Sequence, residues 1–214
     1  MPATQTNKLK IAVIGKGRMG SALAEGWLRA GHQVVYGVQN AQAKVGGPPS
    51  PSVIPMLGSV EASAVSEVIV LAIPGKAVEQ VLDEIQKAVV GKIMVDCTNP
   101  GLPVVGQSGG EKVARRAPEA KVIKAFNITG SQNVESPRYP EGPAVMFYAG
   151  DDEGSKKIVH QLATDLGFDA VDAGPLAQAY ALEVMALFWV NLAYGQKMGS
   201  GIALRLMHRD LKEA

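Results

Sequence analysis

The sequence predicts an α/β protein: a doubly wound parallel sheet with helices on both faces and a small, mainly helical carboxyl-terminal part. Two observations predict it. Between Ile11 and Ala24 an apolar run meets Gly15-Lys16-Gly17-Arg18-Met19-Gly20, and an amphipathic pattern follows. Strand, G-x-G-x-x-G turn and helix in that order make a Rossmann-type dinucleotide-binding unit. Further along, short apolar runs alternate with stripes of helical period, the pattern of repeated βαβ units.

Each motif glycine has a separate task. Gly15 lets the chain turn sharply off the strand, and Gly17 lets backbone approach a pyrophosphate. Gly20 lets the helix pack closely on the strand. The helix start then offers free N–H groups and a positive dipole end to phosphate.

The elements follow in order. Residues 10–15 read as the first strand. Met19, Leu23 and Trp27 recur at helical spacing behind it, and Gly31 ends that helix. Residues 33–37 form a second strand rich in Val and Tyr. A Gly- and Pro-rich loop occupies the end of 40–51 and is expected to be mobile. Residues 68–73 are a fully apolar strand closed by Pro74-Gly75; Val78, Val81, Leu82, Ile85 and Val89 then stripe a helix ended by Gly91. Residues 93–96 and 121–126 are further strands. Residues 145–149 make another, followed by acidic residues suited to a helix start. That helix stops at Gly167, and 169–172 is a short last strand. From Leu176 to about Met198 the pattern is helical and apolar nearly all round, which predicts burial either under a small second domain or against a twin subunit. Ligands of such sheets sit beyond the carboxyl ends of the strands. Loops 15–20, 38–44, 73–78, 97–101 and 125–130 should therefore converge on a cofactor. Residues 1–150 are expected to form the cofactor domain. Residues 151–214 are expected to carry the buried helix, an acceptor site and the contacts of a homodimer.

Composition narrows the class. With 214 residues, 47% apolar and 19% charged, the chain can bury a sizeable core. A net charge of +1 implies no broad draw toward nucleic acid or an anionic membrane. Cys97 is the one cysteine, so neither an internal disulfide nor a cysteine metal cluster is available, and no metal site is expected. The polar first ten residues lack an apolar signal core. The apolar stretch 184–194 is short for a membrane span and contains Asn191. A cytoplasmic protein with no membrane or nucleic-acid partner is expected.

The loop after the second strand separates NAD from NADP. An NAD site places an acidic residue there for the ribose 2′-hydroxyl. This chain offers Val38-Gln39-Asn40 and no acidic residue until Glu61. Lys16, Arg18, Lys44 and the amides of Gln39 and Asn40 are the available donors to a 2′-phosphate.

Acid–base candidates are few. His32 follows a helix-ending glycine and reads as surface. His160 lies opposite the apolar stripe of its helix, and His208 is in a basic tail; neither looks catalytic. Asp96, at a strand end, either faces the cofactor or makes a structural hydrogen bond. Lys124 is either a proton donor or half of a structural ion pair. Cys97 has no cation or histidine near it in sequence and reads as pocket lining. Hydride exchange between two planar rings needs little side-chain acid–base help, because the cofactors carry the reaction. Carbonyl reduction usually needs a placed proton donor.

Six segments carry a family resemblance: 14–20, Tyr36-Gly37-Val38, Leu71-Ala72-Ile73-Pro74, Asp96-Cys97-Thr98-Asn99-Pro100, Lys124-Ala125-Phe126-Asn127 and Asp172-Ala173-Gly174-Pro175-Leu176. Together they resemble the NADP oxidoreductases dependent on coenzyme F-420, a deazaflavin, over about residues 9–210. They are similar also to the amino-terminal domain of STEAP-type metalloreductases. The resemblance implies that NADP(H) binds the Rossmann part and that a flavin or deazaflavin acceptor stacks on the nicotinamide. The positions matching the family's cofactor contacts are Gly15, Lys16, Gly17, Arg18, Met19, Gly20, Gln39, Asn40, Ala72, Ile73, Pro74, Val78, Asn99 and Asn127. The family commonly has arginine where this chain has Gln39. Two other readings stand beside this one. One is a reductase of a small carbonyl or imine with Lys124 assisting protonation; the other is a non-catalytic, nucleotide-binding redox sensor.

Overall fold

The structure is a computed structural model, and it describes residues 8–39, 53–101 and 106–209. In chain order the elements are β1 (Lys10–Ile14), α1 (Arg18–Arg29), β2 (Gln33–Val38), β3 (Met56–Gly58), α2 (Ser59–Val65), β4 (Val68–Leu71), α3 (Val78–Ile85), β5 (Ile93–Asp96) and α4 (Gly109–Arg116). Then come β6 (Lys121–Ala125), α5 (Ser131–Glu135), β7 (Arg138–Tyr139), β8 (Gly142–Pro143), β9 (Val145–Gly150), α6 (Glu153–Leu166), β10 (Asp169–Asp172) and α7 (Ala179–Val190). A π turn, Asn191–Gly195, extends α7.

Eight strands make one sheet in the order β10-β9-β6-β5-β4-β1-β2-β3. From β6 to β3 every neighbouring pair is parallel, with Ile14 opposite both Gly37 and Leu71. The chain winds outward from β1 in one direction and from β4 in the other, so the order reverses between these two strands. This is the doubly wound arrangement, and it leaves the binding crevice at the carboxyl ends of β1 and β4.

Both faces of the central strands are covered, which is why their sequences are continuous apolar runs rather than alternating ones. Ile11 and Val13 join Leu23, Trp27, Val159 and Leu162 on the face of α1 and α6. Ala12 and Ile14 join Leu82, Ile85, Val113 and Leu176 on the face of α2, α3 and α4. Local signals end the helices. Ser108 and Glu111 form a reciprocal capping box on α4, and Asp152 caps α6. Gly167 closes α6 at φ +99°, a left-handed conformation that favours glycine.

Three expectations are corrected. The strand at 145–149 joins the sheet antiparallel to β6, because the return through α5 and the β7–β8 hairpin reverses the chain. His32 is buried, not superficial, because the turn after α1 folds back on the last turn of α6. Its Nδ1 accepts from the Leu9 N–H at 3.2 Å, and its Nε2 lies 3.0 Å from Asp165 Oδ2. The third correction concerns α7. Leu182, Glu183, Ala186 and Trp189 are buried, but Tyr180, Val184 and Phe188 are 45%, 43% and 56% exposed. Only one side of the helix meets α4 and β9. By length and composition Leu176–Gly195 is apolar enough to cross a membrane; here one face of it packs on the sheet layer. The proline-rich segment 40–51 lies outside the described residues.

Candidate active site

The glycine loop is built by close approach. Gly15 has φ +105°, and a Cβ there would lie 2.5 Å from the Ala72 carbonyl oxygen and 2.8 Å from Ile73 Cγ2. Its lack of a side chain lets the loops after β1 and β4 touch. A Cβ on Gly20 would run into the Gly15 carbonyl oxygen. Gly17 differs: a Cβ there would meet no atom within 4 Å. It is the N-cap of α1, at φ −77° and ψ −178°, and no side chain caps that helix. The first-turn N–H groups therefore face an open cradle, and the residues fit a dinucleotide pyrophosphate.

Around the cradle the expected residues take distinct places. Arg18 opens α1 and is exposed; Met19 packs partly into the core. Lys16 extends along the β2–β3 edge. Its Nζ lies 3.7 Å from Met56 Sδ and 5.5 Å from the centre of the Tyr36 ring. Gln39 is exposed immediately after β2, on the side where the adenosine ribose binds in this fold. Asn40 and Lys44 lie outside the described residues.

Across the crevice, Ala72, Ile73 and Pro74 leave β4 and Val78 begins α3. A Cβ on Gly75 would come 2.8 Å from the Asn99 carbonyl oxygen, so the loops after β4 and β5 also touch. The loop after β6 reaches them through a paired amide. Asn99 Nδ2 donates to the Asn127 carbonyl at 2.9 Å, and Asn127 Nδ2 donates to Asn99 Oδ1 at 2.9 Å. The second Asn127 N–H points to the Leu182 carbonyl of α7 at 3.2 Å. Both its donors are used, and its buried Oδ1 has no partner among the described residues. Phe126 makes this turn at φ +60°, unusual for a residue with a side chain. Packing holds it there: Phe126 is fully buried, edge-on to Trp27 with ring centres 5.5 Å apart.

Directly beneath the amide pair lies a buried charge cluster. The side chains of Asp96, Lys124 and Glu183 are each 0% exposed. Lys124 Nζ lies 2.9 Å from Asp96 Oδ2 and 2.7 Å from Glu183 Oε1. It also donates to the Thr98 carbonyl at 2.5 Å. Asp96 Oδ1 accepts from the Thr98 N–H at 2.9 Å and the Thr98 hydroxyl at 2.7 Å. Glu183 accepts from the Gly109 and Gly110 N–H groups at 3.0 and 3.1 Å, holding the start of α4. Burial pushes the Lys124 ammonium toward neutrality, but the two carboxylates outweigh it and hold its pKa above the ordinary lysine value. Lys124 is therefore the structural ion pair of the two sequence readings, not a free proton donor. Burial also pushes the Cys97 thiol well up, with the Asp96 charge adding to it, so Cys97 lines the site as an unreactive thiol.

Glu183 was not anticipated. The available signal was a lone carboxylate inside the apolar run of α7, since such a charge is buried only when paired. Among the described residues no group of three or more His, Cys, Asp or Glu side chains is placed to hold a metal ion.

An open glycine cradle at the switch point of a doubly wound sheet defines a Rossmann-type dinucleotide-binding protein. Residues 10–100 match the family model of NADP oxidoreductase, coenzyme F420-dependent. The metalloreductase STEAP3 of Rattus norvegicus is 30% identical over 182 residues, covering 83% of this chain and 36% of the relative. This chain thus spans about a third of that relative's length. A crystal structure named as an F420-dependent NADP reductase from Arthrobacter sp. FB24 superposes with a TM-score of 0.83 at 27% identity, covering 94% of this chain and 100% of that one. A reductive aminase from Aspergillus terreus, solved with NADPH, reaches a TM-score of 0.67 at 21% identity over 89% of this chain and 63% of its own. At that identity the likeness is one of fold.

Proposed function

We propose that this protein passes hydride between NADP(H) and a flavin or deazaflavin acceptor. The observation that carries the reading is the combination of an open phosphate cradle at Gly17 with a Lys124 already consumed by Asp96 and Glu183. The first feature suits a dinucleotide. The second removes the side chain that a carbonyl or imine reductase would have used for protonation. Chemistry between two rings does not need it. In this reading the glycine loop holds the pyrophosphate, while Ala72, Ile73, Pro74, Val78, Asn99 and Asn127 surround the rest of the dinucleotide. When bound, the nicotinamide supplies the hydride chemistry. The protein orients it and excludes water. Steady-state oxidation of NADPH with a panel of flavins, deazaflavins, carbonyls and imines tests the proposal. Turnover only with a carbonyl or imine overturns it, and tight binding without any turnover favours a sensor.

NADPH preference in this reading rests on Arg18 and Lys44, with Gln39 supplying only an amide. An amide gives a 2′-phosphate only neutral hydrogen bonds, whereas guanidinium pairs bidentately. Gln39→Arg should raise the NADPH-over-NADH preference about tenfold, equal to about 1.4 kcal/mol. The gain should shrink with added salt because Gln39 is exposed. Titrating both cofactors against both proteins decides it; an unchanged ratio places specificity elsewhere.

The protein acts in this reading as a cytoplasmic homodimer. Tyr180, Val184 and Phe188 stand one turn apart and exposed on α7, with Tyr194 60% exposed just beyond. Such a contiguous apolar stripe suits an isologous contact with a second copy. Sedimentation at micromolar concentration should give a dimer, and Phe188→Lys a monomer. A wild-type monomer would rule this out.

A further inference from the structure

The buried cluster carries more negative than positive charge. Lys124 brings one positive charge, and Asp96 and Glu183 bring two negative ones. Every contact to the two carboxylates comes from a donor: the Thr98 N–H and hydroxyl and Lys124 on Asp96, and Lys124 with the Gly109 and Gly110 N–H groups on Glu183. Among the described residues no hydrogen-bond acceptor is paired with either carboxylate. The amino end of α4 offsets part of the surplus through its dipole, but it is not a full charge.

The placement gives this surplus a consequence. In a doubly wound sheet the β1–β3 half holds the adenosine end of a dinucleotide, and the half beginning at β4 holds the other end. Asp96 ends β5, Lys124 is in β6, and the Thr98 they grip immediately precedes Asn99. The surplus thus lies under the loops for the nicotinamide end, buried where water does not screen it. Loss of a hydride turns a neutral dihydropyridine ring into a pyridinium cation. The two electrons and the hydrogen go to the flavin or deazaflavin acceptor, which takes its further proton from solvent.

Resting on the cofactor reading above, we propose that Asp96 and Glu183 bias the site electrostatically toward oxidised NADP, so that it is built to donate hydride from NADPH rather than to make NADPH. Neither residue touches the ring; they act through their field.

The test compares Kd for NADP+ and for NADPH. Both are measured by protein fluorescence quenching and calorimetry in wild type, Glu183→Gln, Asp96→Asn and the charge-preserving Glu183→Asp. Each neutralising variant should weaken NADP+ relative to NADPH. A unit charge at an effective dielectric near ~20 is worth on the order of tenfold in that ratio. Glu183→Asp should keep the wild-type ratio even if both affinities fall. A role in loop structure alone would weaken both forms equally, so an unchanged ratio in the neutralising variants overturns the proposal. Asp96→Asn decides the matter should Glu183→Gln fail to fold. A wild type that binds neither form overturns the cofactor reading itself, and this inference with it.

Discussion

A Gly17→Val protein should fold normally and should no longer bind NADP(H). Both halves of that result come from geometry. At φ −77° valine is unstrained, and its Cβ meets no protein atom within 4 Å, so nothing in the fold opposes it. The space it enters is the mouth of the uncapped first turn of α1, where a pyrophosphate must approach the backbone N–H groups closely. Losing that approach removes several charge-assisted hydrogen bonds worth roughly 1.5–3 kcal/mol each, so affinity should fall by more than about 100-fold. Circular dichroism and thermal melting check the fold, and nucleotide titration checks the site. Gly20→Val is the informative contrast. Its Cβ would strike the Gly15 carbonyl, so it should lose stability as well as binding. Unchanged NADPH affinity in a folded Gly17→Val protein would remove the basis for the functional reading.

Lys124→Met should be among the most destabilising single changes in the chain. It leaves Asp96 and Glu183 buried without their shared cation. Removing one partner of a buried ion pair costs about 3–5 kcal/mol. For a chain of this size that lowers Tm by on the order of 10 °C. The pH dependence has a definite sign. The folded-state pKa of Lys124 is raised above 10.5, so its contribution is complete below that value and is lost as pH rises through the folded-state pKa. The gap between wild type and variant should therefore hold through neutral pH and narrow in strong alkali. Denaturant unfolding at neutral and alkaline pH measures it. A neutral-pH stability equal to wild type would show that the cluster does not hold the fold.

Much of the cofactor half was legible in the residues themselves. The glycine motif is a local device: one conformation at Gly15 and two close approaches specify strand, turn and helix. The central strands were legible because burial on both faces leaves unbroken runs such as Val68-Ile-Val-Leu71. The short helices α2, α4 and α5 were not. α2 and α5 have two turns or fewer, too few to show a period; α4 is as long as α3 but buries only Gly110 and Val113, too few apolar positions to make a stripe, and Ser108-x-x-Glu111 marks its start.

Strand direction was likewise invisible, since β9 is a nearly continuous buried run that reads the same whether it is parallel or antiparallel; the β7–β8 return decides it. His32 looked superficial because nothing near it in sequence reveals Asp165, which lies 133 residues away. The charge cluster follows the same logic. Asp96, Lys124 and Glu183 come from two strands and a helix, and only their convergence cancels most of their desolvation cost. The sequence by itself therefore determined what is held by local backbone geometry and by one-dimensional period: the sheet, its winding and the phosphate cradle. Tertiary structure alone decided which distant polar groups meet in the low-dielectric interior. There a charge is stable only beside its partner, and no sequence interval specifies that partner.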